Sequence, residues 1–259
     1  KRIGGFSAVK GGRLALWVEL DENGKPPASK YAVACDIASG TGSSNSIASI
    51  GDLRTGRKIG EFASPYLQPY EFAEYVWAFA KFFDDAFVIW ENNGPGRNFG
   101  ATWTGPEYED KLCYGNVYFR NANDESMDRR MTAIPGWAST GQTKKVMLSE
   151  YRKSLESEDF INPSYEGLNE CLCYVYTATG YVAHANSLNT LDPSGARDNH
   201  GDRVIADGLL SKVCRERMVS VDEVKKQVIP DDCFYARQQK RKLAGQGMYN
   251  DGWRIKWTA

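Results

Sequence analysis

The stretch YAVACDIASGTGSSNS, residues 31–46, decides how the rest of the chain is read. Tyr31 to Cys35 is a short, wholly apolar run between polar turns, the pattern of a buried strand. Asp36 stands where that run stops, and a glycine–serine loop follows it. Phosphate cradled by the glycines and serines would make this a nucleotide site. A metal ion on the carboxylate would make it a nuclease site, and a plain turn would make it neither.

Working outward, Ser46–Ile50 and Lys58–Ala63 flank GDLRTGR, a good hairpin turn, so the first core strands are expected to be consecutive and antiparallel. Arg13–Leu20 reads as an earlier strand. Residues 69–83 read as a helix, because Pro69 suits a first helical turn and Phe72, Val76, Phe79, Ala80 and Phe83 recur at helical spacing. Phe87–Trp90 is short and apolar throughout, as a central parallel strand should be, and it ends at Glu91. Beyond it the pattern predicts a helix near Gly105–Cys113, a strand over 116–120 and a loop over 131–142. A helix over 143–157 follows, with Val146, Leu148, Tyr151 and Leu155 as its apolar face. Asn162 or Ser164 is expected to cap a short helix, strand pieces to flank a glycine turn in 174–186, and a last helix to span 201–217. The sum is a mixed α/β sheet, three antiparallel strands then parallel ones, with helices on both faces.

Composition narrows the classes. With 42% apolar and 25% charged residues the chain has the balance of an ordinary globular domain. No apolar run approaches the roughly 20 residues of a membrane helix, and the start, KRIGGFSAVKGG, has no signal-peptide segment. Lacking an initial Met, the sequence is read as a piece or processed product of a longer protein. Six cysteines without a CxxC pair suggest buried free thiols rather than disulfides or zinc. Two histidines, His184 and His200, exclude a histidine-rich metal site. The net charge of −1 is uneven: residues 220–259 carry eight Lys/Arg against five Asp/Glu. They are expected to form a basic, partly disordered C-terminal tail on a domain spanning 1–219.

Three acids fall at the ends of elements. Asp36 and Glu91 end strands, where ligand sites gather in open α/β sheets. Asp202 precedes Ile205, Leu209 and Val213 on one helical stripe and should face the sheet with them, whereas Asp207 falls off that stripe and is expected to be solvated. Singly, each acid has an ordinary explanation: a turn cap, a loop acid, a helix N-cap. Jointly, three hard oxygen donors at one sheet edge suit Mg²⁺ or Mn²⁺.

VACDIASGTGSSNS, FVIWENNGPG and HGDRVIADGLL resemble, in that order, the three acidic motifs of the nuclease domain of tailed-phage terminase large subunits. GWASTGQTKKVMLSEYRKSL at 136–155 resembles the helix start found between the second and third. The resemblance covers about residues 13–217. It implies an RNase H-like fold and an endonuclease using two Mg²⁺ or Mn²⁺ ions to cut concatemeric viral double-stranded DNA during packaging. By the same resemblance Asp36 would bridge both ions, with Glu91 and Asp202 each holding one. Partners would be a terminase small subunit, a portal protein and the ATPase domain of the same full-length chain. The location would be the host cytoplasm, transiently at the procapsid portal, with no membrane. Lys144, Lys145, Arg129 and Arg130 are candidate DNA phosphate contacts, each also readable as a surface cation. One departure is that Gly201 stands where such domains often carry a second acid, with His200 before it as an auxiliary group or a solvated loop residue. No Walker GxxxxGK(S/T) sequence is present, so the chain reads as the nuclease portion. Competing readings are an actin- or sugar-kinase-like ATPase, a Holliday-junction resolvase or integrase, and a catalytically silent DNA- or portal-docking module.

Overall fold

The computed structural model describes residues 12–104, 114–121, 131–177, 182–185 and 201–217. Its centre is a five-stranded sheet built outward from one hairpin. Strand β3 (Ser46–Asp52) turns through the expected segment into β4 (Arg57–Ser64), and β2 (Tyr31–Asp36) lies antiparallel on the other side of β3. β1 (Leu14–Leu16) pairs with β4 at one edge, and β5 (Phe87–Trp90) lies parallel to β2 at the other, giving the order β1-β4-β3-β2-β5. The first strand is shorter than its apolar run: after Leu16 one further bond, Trp17 N–H to the Ile59 carbonyl at 2.8 Å, ends its pairing. Residues 116–118 extend the sheet beyond β5 through a parallel bridge between Val88 and Val117.

Strand alternation sorts the side chains to two faces. Val33 and Cys35 point into a core closed by helix α1 (Pro69–Phe82), whose Phe72, Val76 and Phe79 are buried there. Helix α2 (Pro95–Thr104) joins that core through Phe99 and Trp103, which pack on the Trp90 ring. It begins inside NNGPG, because Pro95 suits a first helical position and the rings recur four residues apart. The helix expected at 105–113 lies outside the described residues.

Ala32, Ala34, Phe87 and Ile89 point to the opposite face, covered by α3 (Gly141–Glu156) and α5 (Asp202–Arg217). On α5, Ile205, Leu209 and Val213 are buried as the stripe predicts. On α3, Leu148 and Tyr151 are buried, but Met147 takes the place expected for Val146, which faces out. Ser164 caps α4 (Tyr165–Leu172) by accepting from the Gly167 amide at 3.1 Å. β8 (Tyr174–Tyr176) pairs with β9 (Val182–His184), as the strand pieces suggest. The segment read as a loop over 131–142 instead opens with a strand, β7 (Met131–Pro135), paired to β6 (Phe119–Asn121); Pro135 and Gly136 end that strand rather than exclude it. Cys35 and Cys214 are buried free thiols, whereas Cys173 is exposed. Residues 220–259, read as the basic tail, lie outside the described residues.

Candidate active site

The parallel register of β2 and β5 sets Cys35 opposite Trp90, so Asp36 and Glu91 leave the sheet side by side. The Glu91 amide donates to the Cys35 carbonyl at 3.1 Å. Asp36 continues the parity of Ala32 and Ala34, and Glu91 that of Phe87 and Ile89, so both acids emerge on the face covered by α3 and α5. Glu91 is held from its other side by a bridge to Trp137, whose amide donates to the Trp90 carbonyl at 2.8 Å. Asn93 Nδ2 reaches the Ser139 carbonyl at 2.7 Å, fastening the segment that leads to α3. Thr140 caps that helix, and Lys144 one turn in stands close enough to act on the Asp36 charge.

The glycine–serine loop carries the third acid to the first. Ser44 Oγ lies 2.9 Å from each carboxylate oxygen of Asp202, and the Asn45 amide donates to Oδ2 at 2.7 Å. Donors that could have cradled a phosphate are thus engaged by a carboxylate. The loop is anchored by the Gly42 amide on the Pro65 carbonyl at 2.9 Å. Gly40 has φ +75°, and a Cβ there would stand 2.5 Å from the Leu67 carbonyl oxygen, so the approach requires glycine.

Electrostatics record the convergence. Burial pushes the Asp36 carboxyl well above the usual carboxylate range, and the charges of Glu91 and then Asp202 push it further, while Lys144 and the Ile37 amide pull it back. Tyr174 is raised by burial and then by Asp36 and Asp202, and its hydroxyl donates to the Gly201 carbonyl at 3.1 Å. A Cβ at Gly201 would run into that hydroxyl, so the ring fills the space a second acid would need. Among the described residues no three Asp, Glu, His or Cys side chains stand ready-made to hold an ion. The donor chemistry nevertheless fits a hard divalent cation: three carboxylates from three elements, with Asp36 raised by its neighbours' charge, form a set that positive charge would relieve.

No protein-family model matches the chain, and no curated protein sequence matches it. Solved structures do. The large terminase nuclease from thermophilic phage G20c aligns over 79% of this chain and 90% of its own, with a TM-score of 0.52 at 14% identity. The same nuclease with bound magnesium aligns over 79% and 89%, with a TM-score of 0.55 at 15% identity. The Thermus phage P74-26 large terminase nuclease domain aligns over 78% and 86%, with a TM-score of 0.50 at 16% identity. The chain has the RNase H-like fold of the large terminase nucleases.

Within this terminase-nuclease fold, the structure brings Asp36, Glu91, Asp202 and Lys144 to one end of the sheet. Lys145 follows on the first turns of α3, half-buried. Arg129, Arg130 and His200 lie outside the described residues. Asp207 corrects the sequence reading: it is fully buried, not solvated. Its carboxylate accepts from Lys58 Nζ and Ser49 Oγ, each at 2.6 Å, and from Asn162 Nδ2 at 2.8 Å. Lys58, equally buried, also reaches Glu61 at 2.7 Å. Arg203, next to Asp202, bonds Glu61 and Glu170, both at 2.7 Å. The sequence carries no local signal for this network, because its members come from β3, β4, α5 and the segment around α4. Ser44 was visible only as part of a loop open to other readings, and Tyr174 only as the start of a strand.

Proposed function

We propose that the chain is a divalent-metal-dependent DNA endonuclease, the nuclease portion of a phage terminase, cutting concatemeric double-stranded DNA during genome packaging. The observation that carries this reading is the convergence of Asp36, Glu91 and Asp202 at the end of the β2–β5 pair. Asp36 and Glu91 are adjacent by register, and Asp202 is bonded to the loop that leaves Asp36. The likeness to terminase nucleases, one of them with bound magnesium, supports the same reading at the level of fold. The partners that go with it are double-stranded DNA, a small subunit, a portal protein and an ATPase domain of the same chain, in the host cytoplasm.

Asp36, Glu91 and Asp202 would hold Mg²⁺ or Mn²⁺. Ions bound there supply Lewis-acid polarisation of the phosphate and a lowered pKa for water. Asp36 sits centrally, beside Glu91 on the neighbouring strand and within reach of the charge of Asp202. Glu91, fixed between β2 and the Trp137 segment, presents its carboxylate from a rigid strand end. Lys144 offers a cation for a DNA phosphate beside the acids, a contact that would position the backbone without reading sequence.

An ATPase reading loses support because Ser44 and the Asn45 amide are engaged with Asp202. The test is cleavage of supercoiled plasmid by the purified protein with Mn²⁺ or Mg²⁺. Nicking and linearisation are expected from the wild type, and none from Asp36→Asn. Activity that survives Asp36→Asn overturns the site. Stronger cutting of four-way junctions than of linear duplex would assign the same chemistry to a resolvase.

A further inference from the structure

Asp202 is held in two ways, directly through its carboxylate and indirectly through its neighbour Arg203. In front, Ser44 Oγ reaches both carboxylate oxygens at 2.9 Å, from the loop that begins at Asp36. Behind, Glu170 on α4 binds the Arg203 amide at 2.9 Å and its guanidinium at 2.7 Å, so one carboxylate holds both the backbone and the side chain of the next residue. Glu61 on β4 takes the other side of the guanidinium at 2.7 Å and is itself bonded to Lys58 and Ser164. The first turn of α5 is therefore tied to α4 and β4, while the carboxylate it carries is tied to the β2–β3 loop.

We propose that Ser44 and Glu170 are positioning residues for Asp202: Ser44 sets the direction of its carboxylate, and Glu170, through Arg203, sets the place of its backbone. This rests on the metal-centre reading above and adds to it. The physical reason is that a carboxylate at a helix start has open χ1 and χ2 angles and an end that frays. An ion held by three elements binds tightly only if those freedoms are removed beforehand. The loop links the settings of Asp36 and Asp202, since its segment from Asp36 to Ser46 is pinned by the Gly42 amide on the Pro65 carbonyl and by the Ala38 amide on Ser46 Oγ. Burial of the network alone would explain stability; the pairing of Ser44 with the functional oxygens themselves is what stability does not require.

The experiment is Mn²⁺ titration of the DNA-free protein by calorimetry, with thermal melts of each variant without metal. Ser44→Ala and Glu170→Gln are each expected to weaken Mn²⁺ binding about 10- to 100-fold. Ser44→Thr, which keeps the hydroxyl, is expected to restore it. The Mn²⁺ concentration for half-maximal cleavage should rise by the same factor, with the rate at saturating Mn²⁺ changed much less. A purely structural role predicts lowered melting temperatures with unchanged Mn²⁺ affinity, and that result overturns the inference. Wild-type protein that binds no more Mn²⁺ than Asp36→Asn overturns the metal-centre reading itself, and this proposal with it.

Discussion

At the scale of single residues, the charge pair behind the site carries the sharpest energetic consequence. Lys58 and Asp207 are both wholly buried, 2.6 Å apart. Removing one partner of such a pair leaves the other charge uncompensated, at a cost of about 3–5 kcal/mol. Lys58→Met is therefore expected to lower stability at neutral pH by about 3 kcal/mol, measured by urea unfolding, since Ser49 and Asn162 still serve Asp207. The penalty should depend on pH. Burial would raise the Glu61 carboxyl, but Lys58 and Arg203 outweigh it and hold the group below its ordinary value. A lowered carboxylate pKa contributes stability above the ordinary range and loses it as pH falls through the lowered value. The gap between wild type and Lys58→Met should accordingly narrow as pH drops below about 4, the ordinary glutamate range. A gap constant from pH 7 to pH 3 would contradict the pairing.

At the scale of elements, the loop between β2 and β3 is the part whose shape matters most. Gly40→Ala meets the Leu67 carbonyl and a left-handed φ together. The conformation alone costs about 1–2 kcal/mol for an alanine, and the clash adds displacement of the loop. Melting by circular dichroism is expected to show that loss, and Mn²⁺-dependent cleavage should fall more than stability does. A variant with wild-type cleavage would mean the loop does not set Asp202. The strands and main helices were legible because their burial is regular: β2 and β5 are buried on both faces and so read as unbroken apolar runs, and α1 repeats its buried residues at helical spacing. Asp207 was misread because helical spacing judges a charge only against its own helix, while its partner Lys58 lies 149 residues away. β7 was misread because a proline and a glycine at its end outweighed a short strand of mixed residues. Asp36 and Glu91 were legible as strand ends and Asp202 as a helix-start acid, but the adjacency of the first two is a matter of register, which no single segment states.

At the scale of the whole molecule, a net charge of −1 means that, on the proposed function, attraction to DNA must come from local cations rather than from the overall field. Binding of the Asp36→Asn protein to duplex DNA should weaken steeply and linearly on a log–log plot as salt rises. Lys144→Ala should lower that slope by about 1 and weaken binding alike for all sequences. Fluorescence anisotropy across a salt series measures both, and an unchanged slope would remove Lys144 from the DNA contact. The fold also controls when the acids meet. Ser44 and Asp202 are 158 residues apart in sequence, yet the Ser44 hydroxyl reaches both oxygens of the Asp202 carboxylate. A chain emerging from the ribosome completes the β2–β5 acid pair long before α5 exists to supply the third carboxylate. On the proposed function the cutting centre is thus complete only once α5, the last helix among the described residues, has been made. On that reading, a chain truncated before α5 lacks the third carboxylate, the helix that covers one face of the sheet and the partner of buried Lys58, so it should not cut.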